Sequence, residues 1–199
     1  MELKSALLEG SEYAVRQYHK MSSTMGAPES FIQARCAIYV HERLGIPVSI
    51  DLSHKYLKAL WGFDEDQSVV WGDLLRDFRV DLVTLHLDKE GQPKVASLVE
   101  LKLYTGPRAE ADIQRLQALI KIAESRGELI EGYLVICEQV FPYQTMNYVR
   151  RAFDEFSKKF IFAEQKLFEL EEIPGFDREG ENRPGPWPVG IGVIDVRNT

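Results

Sequence analysis

Apolar residues recur at helical spacing in two segments near the amino terminus. The first segment, residues 2–20, carries its apolar side chains three to four positions apart, as an amphipathic helix does. The second runs from Pro28 to Leu44. Its proline suits the first turn of a helix, and Gly45 beyond it suits a helix exit. Two helices are therefore predicted before residue 45, whereas residues 46–77 mix short apolar runs and show no clear period.

From Phe78 onward the pattern changes to an alternation of period two. It predicts a strand that ends near Asp88, a turn over residues 89–93 (Lys-Glu-Gly-Gln-Pro) and a second strand over Val95–Leu103. These three segments together predict a β-hairpin.

The remaining pattern alternates between helices and strands. It predicts elements in this order: a helix over about 109–123, a strand over 133–137, a helix over about 143–159, a strand over 160–170 and a last apolar run over 189–196. No repeat or low-complexity linker interrupts the chain. We therefore predict one mixed α/β domain over residues 1–199, with a core at about 28–138, an amino-terminal helix and a carboxy-terminal extension over 142–199.

Composition and charge restrict the function more than the fold. The 199 residues are 45% apolar and 28% charged, which is typical of a globular protein and not of a disordered chain. The net charge of −7, with its acids concentrated in residues 164–181, argues against a protein that coats nucleic acid. No apolar run approaches the ~18 residues of a membrane span, and no secretory leader is evident. We expect a cytoplasmic protein without a membrane, with Cys36 and Cys137 as buried free thiols.

Candidate chemistry is concentrated on the predicted hairpin. Glu100 and Lys102 share one face of the second strand, and Asp81 lies on the first strand, which can bring it alongside them. Two carboxylates are efficient ligands for a divalent cation such as Mg²⁺ or Mn²⁺, and the Leu101 carbonyl could add another oxygen. A bound cation acidifies water and stabilises a phosphodiester under attack, and a neighbouring lysine can orient that water. Asp81, Glu100 and Leu101 are thus candidate metal ligands.

An ordinary salt-bridged strand face is the competing interpretation. An acidic residue two positions before a lysine also occurs at residues 2–4 and 164–166. Neither of those triplets follows a hairpin strand that carries an acid. The context of Glu100 and Lys102 therefore favours the metal site, and the salt-bridged alternative stays open.

These segments resemble the PD-(D/E)xK nuclease superfamily. The resemblance rests on residues 79–83 (Arg-Val-Asp-Leu-Val), the turn, residues 98–103 (Leu-Val-Glu-Leu-Lys-Leu) and the helix that follows, and it spans about residues 29–138. It implies a restriction-endonuclease-like core in the order αβββαβ and a Mg²⁺-dependent nuclease acting on DNA. The family's Asp, Glu and Lys would correspond to Asp81, Glu100 and Lys102. This chain has Val80 where many members have proline.

The resemblance also implies two supporting residues on helices. A glutamate on the first core helix would be Glu29, with Glu42 as the alternative, and a glutamine on the helix after the lysine would be Gln114 or Gln117. The acidic balance favours a protein partner that supplies DNA affinity, and a homodimer is a further candidate. The rival function is a catalytically silent nuclease-fold protein that acts as a binding or assembly subunit.

Overall fold

A computed structural model describes residues 1–21, 26–62, 78–139, 145–173 and 185–199. The helices are α1 (Leu3–Met21), α2 (Glu29–Leu44), α3 (His54–Leu60), α4 (Pro107–Glu124) and α5 (Met146–Ser157). The strands are β1 (Val48–Ser53), β2 (Arg79–Leu87), β3 (Pro93–Lys102), β4 (Glu131–Gln139), β5 (Phe162–Ile173) and β6 (Gly185–Asp195). A 3₁₀ turn, Val196–Asn198, follows the last strand.

The six strands form one mixed sheet in the order β1-β2-β3-β4-β6-β5. Among the described strands, β3 and β4 pair in parallel and the other neighbours are antiparallel. One hydrophobic cluster joins α1 and α2 to one face of the sheet, and a second joins α3, α4 and α5 to the other face. The predicted mixed α/β class is confirmed.

Strand β6 lies inside the sheet, between β4 and β5, so the carboxy-terminal extension is part of the same sheet. Two glycines let aromatic rings pack directly on its backbone. A Cβ at Gly190 would lie 2.7 Å from a Phe153 ring carbon, and one at Gly192 would overlap a Phe162 ring carbon. Close approach of these rings, which stack on each other, explains both glycines.

The predicted helices and the hairpin occur close to their expected bounds. Helix α2 follows Pro28 and ends at Gly45, whose φ of 67° is left-handed and whose N–H bonds to the His41 carbonyl. The apolar pattern of residues 46–77 predicts neither β1 nor α3, although the resemblance implies a strand before the hairpin. Strand β1 is an edge strand whose residues are half-buried or exposed and do not alternate. Residues 63–77 lie outside the described residues. Cys36 and Cys137 are buried free thiols, as expected.

None of the described helices is both long enough and apolar enough to cross a lipid bilayer.

Candidate active site

The sheet opens between β2 and β3 at Asp81. Main-chain partners of this hairpin extend as far as Leu82 and Val99. Beyond that pair, side-chain oxygens accept the hydrogen bonds. The Leu101 N–H donates to Asp81 Oδ2 at 2.7 Å, and the Asp81 N–H donates to Glu100 Oε1 at 3.4 Å. Both carboxylates are therefore held in the gap between two strands.

The Lys102 ammonium lies at the centre of four carboxylates. Its Nζ is 3.7 Å from both Asp81 Oδ2 and Glu100 Oε2, and it donates to the Leu101 carbonyl at 2.6 Å. The other two contacts come from helices: Glu29 Oε1 on α2 and Asp112 Oδ2 on α4, each at 3.4 Å. The structure thus brings together the acids and the lysine that the hairpin pattern singled out.

The members of this cluster differ in the exposed fraction of their side chains. The Glu100 side chain is 3% exposed, whereas Asp81 and Lys102 are each 19% exposed and Glu29 is 39% exposed. Burial raises the pKa of Glu100 well above its ordinary value, the Asp81 charge raises it further, and Lys102 opposes the rise. Solvent therefore reaches the cluster from the side of Glu29, and Glu100 lies at its buried end.

Helix α2 explains why Glu29, and not Glu42, belongs to the site. Glu29 is the first residue of the helix and contacts Lys102. Glu42 is exposed and lies thirteen residues further on, about 20 Å along the helix axis at 1.5 Å per residue. Of the two alternatives, only Glu29 reaches the cluster.

The expected glutamine on α4 is not at the site, because neither Gln114 nor Gln117 reaches Lys102. Gln114 is exposed, and Gln117 donates hydrogen bonds to Thr199 at the surface. The helix presents Asp112 to Lys102 instead. At about 100° per residue, Gln114 is about 200° around the helix from Asp112 and points away from the cluster.

Asp112 is the member of the cluster that sequence reasoning missed. It is 1% exposed, and it pairs with Arg115 as well as with Lys102. A signal was present in the sequence. Asp112 lies three residues after Ala109 and four before Leu116, so an acid occupies the apolar stripe of α4. A buried charge needs partners, and this position therefore indicated a polar cluster beneath the helix.

Comparisons with protein-family models, curated proteins and solved structures found no match.

The chemistry of the cluster fits a hard divalent cation. Among the described residues, no three His, Cys, Asp or Glu side chains form a metal-binding group. A Mg²⁺ ion needs less, because it retains waters and is commonly bound through one or two carboxylates. Glu100 is buried and accepts a long hydrogen bond from the Asp81 N–H, while its Oε2 is 3.7 Å from Lys102, beyond hydrogen-bond range. An incompletely neutralised buried carboxylate beside Asp81 is a suitable ligand for such an ion.

Proposed function

We propose that this chain is a metal-dependent nuclease that hydrolyses DNA phosphodiester bonds. The observation that carries the proposal is the gap between β2 and β3, where Asp81 and Glu100 lie within 3.7 Å of the Lys102 ammonium. Two acids from adjacent strands and a lysine beside them supply the ligands and the polar group that metal-assisted hydrolysis uses.

The residues take different roles in this proposal. Asp81, Glu100 and the Leu101 carbonyl would hold Mg²⁺ or Mn²⁺. The ion, when bound, would acidify a water molecule and offset the negative charge that develops on the phosphate. Lys102 would orient the attacking water and, in its neutral amine form, accept its proton, and Glu29, at the exposed side, would position that water or the lysine.

The order of elements supports the nuclease family as the source of this site. Helix α2, strands β1, β2 and β3, helix α4 and strand β4 follow one another as αβββαβ, with α3 inserted between β1 and β2. This order is the one that a PD-(D/E)xK core would have. DNA as the substrate rests on the resemblance to that family, which is an argument from fold and motif.

A second candidate function is a binding or assembly subunit without turnover. It is favoured by the contacts of Lys102, which already pairs with four carboxylates and could serve as a purely structural counter-ion. The net charge of −7 also favours a protein that needs a partner for DNA. The two functions differ in whether metal binding leads to cleavage.

The deciding experiment incubates the purified protein with linear, circular, single-stranded and branched DNA, with Mg²⁺, Mn²⁺ or EDTA. Glu100→Gln, purified in the same way, controls for contaminating nuclease. Calorimetry with Mn²⁺ measures binding separately. Cleavage that requires metal and is lost in the variant supports the nuclease. Metal binding without cleavage of any substrate favours the silent subunit, and absence of both rejects the metal site.

A further inference from the structure

The main chain of Asp81 is held by side chains from other elements. The Gln33 side-chain amide donates to the Asp81 carbonyl at 2.7 Å, and the Asp81 N–H donates to Glu100. Gln33 follows Glu29 by four residues, so both lie on the same face of α2. The start of this helix therefore contacts the cluster at two points, one at Lys102 and one at the backbone of Asp81.

Strand β1 pairs with β2 on the side away from β3. Its partners in β2 include Ile50 with Leu82 and Leu52 with Val80, on either side of Asp51 and Asp81. Asp51 has a φ of 56°, a left-handed conformation that is rare in strands and strained for a residue with a side chain.

Two hydrogen bonds from Arg79 hold the conformation of Asp51. Arg79 donates from Nη2 to the Asp51 carbonyl at 2.7 Å and from Nε to the Asp51 carboxylate. The Asp51 carbonyl is thus engaged by Arg79, and the Asp81 carbonyl is engaged by Gln33.

We propose that Gln33 is a positioning residue for Asp81. Its amide fixes the Asp81 carbonyl in the gap of the sheet, and this orientation aims the Asp81 carboxylate at the Leu101 N–H and at Lys102. Loss of the amide removes a short hydrogen bond to a part-buried carbonyl, so the backbone of Asp81 rotates and its carboxylate loses that aim. The consequence for metal binding rests on the proposed function, whereas the link from Gln33 to Leu101 does not.

The test compares Gln33→Met with the wild type and with Gln17→Met. Methionine keeps the length of the side chain and the helix propensity but has no N–H donor. Gln17 is a half-buried helical glutamine that bonds to Tyr13 and Arg35 away from the cluster, so it is a matched control. Amide hydrogen exchange is measured at Leu101 and at Val135, its β4 partner, which reports on the rest of the sheet.

We expect Gln33→Met to exchange the Leu101 amide at least about tenfold faster than the wild type, with Val135 unchanged. Its Mn²⁺ affinity, measured by calorimetry, should fall about 10–100-fold, as for other residues that orient metal ligands. Gln17→Met should change neither quantity. These readouts separate positioning from general destabilisation, which would accelerate both amides together.

Unchanged exchange at Leu101, or faster exchange with unchanged Mn²⁺ affinity, would overturn the assignment of Gln33. If the wild type binds no Mn²⁺ and cuts no DNA, the nuclease proposal fails, and exchange at Leu101 still decides the role of Gln33. If Gln33→Met does not fold, wild-type NMR provides the decision. A scalar coupling across the hydrogen bond from Gln33 Nε2 to the Asp81 carbonyl supports the proposal, and its absence rejects it.

Discussion

Two buried glutamates on neighbouring parallel strands have opposite surroundings. Glu100 on β3 and Glu138 on β4 are both buried, and burial raises the pKa of both. Glu138 accepts hydrogen bonds from the Thr105 N–H at 3.0 Å and the Thr105 hydroxyl at 3.4 Å, and these bonds lower its pKa. Glu100 instead faces the charge of Asp81, which adds to the rise.

The difference separates an acid that its neighbours satisfy by hydrogen bonds from one that faces a like charge. Neutral donors satisfy Glu138 in place, so it can tie the segment before α4 to the end of β4 without help from a ligand. Glu100 lies beside the negative charge of Asp81, and the Lys102 ammonium is 3.7 Å from its Oε2. A bound divalent ion would offset the repulsion between Glu100 and Asp81, and it would have no comparable role at Glu138.

The largest expected effect is on cleavage, in Lys102→Ala. This substitution should lower the rate of DNA cleavage about 10²–10⁴-fold, the range for loss of a general acid or base, while Mn²⁺ still binds. A lysine ammonium has no lone pair for a metal, so metal binding does not depend on it. Cleavage is followed on labelled DNA, and Mn²⁺ binding by calorimetry.

Lys94→Ala is the matched control on the same strand. Lys94 pairs with Glu128 and lies eight residues from Lys102, about 26 Å away along β3. Its removal should leave cleavage unchanged. Full activity of Lys102→Ala, in a preparation free of host nuclease, would remove Lys102 from the mechanism.

The next effect is a difference in pH dependence between the two glutamates. The raised pKa of Glu100 means that the folded protein keeps a proton that the unfolded chain loses above about pH 4.5. Stability in EDTA is therefore fully present below that pH and decreases as the pH rises toward the folded pKa. Glu100→Gln should flatten this decrease strongly, and Glu138→Gln should flatten it less, because the Thr105 hydrogen bonds oppose the rise in the pKa of Glu138.

Urea unfolding between pH 4.5 and 8 in EDTA measures these slopes. If stability falls with pH equally in the wild type and in Glu100→Gln, Glu100 is not the source of the pH dependence. A larger change in Glu138→Gln than in Glu100→Gln would reverse the comparison.

Sequence reasoning found the parts of this site that depend on local pattern. Alternation along a strand places Glu100 and Lys102 on one face, and the turn at residues 89–93 brings Asp81 beside them. The phase of α4 against the sheet depends on packing between distant elements, so Gln114 was wrongly expected where Asp112 lies. The hydrogen bond from Gln33 to the Asp81 carbonyl joins residues 48 positions apart and has no sequence signal.

A smaller effect is expected on stability in Asp81→Asn. Asparagine keeps the acceptor for the Leu101 N–H and removes the charge that opposes Glu100. At pH 8 in EDTA, we expect the variant to be about 0.5–2 kcal/mol more stable than the wild type. Saturating Mg²⁺ should reverse the order, because only the wild type gains the full free energy of metal binding. Thermal unfolding in both buffers measures the change.

Asp88→Asn provides the opposite case at the turn of the same hairpin. The N–H groups of Gln92 and Glu90 lower the pKa of Asp88, so its charge is favourable and neutralising it should reduce stability in both buffers. A destabilised Asp81→Asn in EDTA, together with a wild type that Mg²⁺ does not stabilise, would favour the salt-bridged strand face and reject the metal site.

The last effect concerns Glu29 at the exposed edge of the cluster, for which Glu42 on the same helix is a matched control. Glu29 is 39% exposed and 3.4 Å from Lys102, so solvent weakens its interaction and its removal leaves the three more buried carboxylates in place. We expect Glu29→Gln to lower the cleavage rate at saturating Mg²⁺ about tenfold, or about 1.4 kcal/mol in activation free energy, with little change in stability.

Glu42→Gln changes the same residue type at the other end of the helix, so it controls for the loss of one negative charge from an acidic protein. Steady-state cleavage rates of the two variants decide the matter. An equal change in both would assign the effect to net charge and DNA affinity, whereas a change confined to Glu29→Gln would place that carboxylate with Lys102 in the water-activating part of the site.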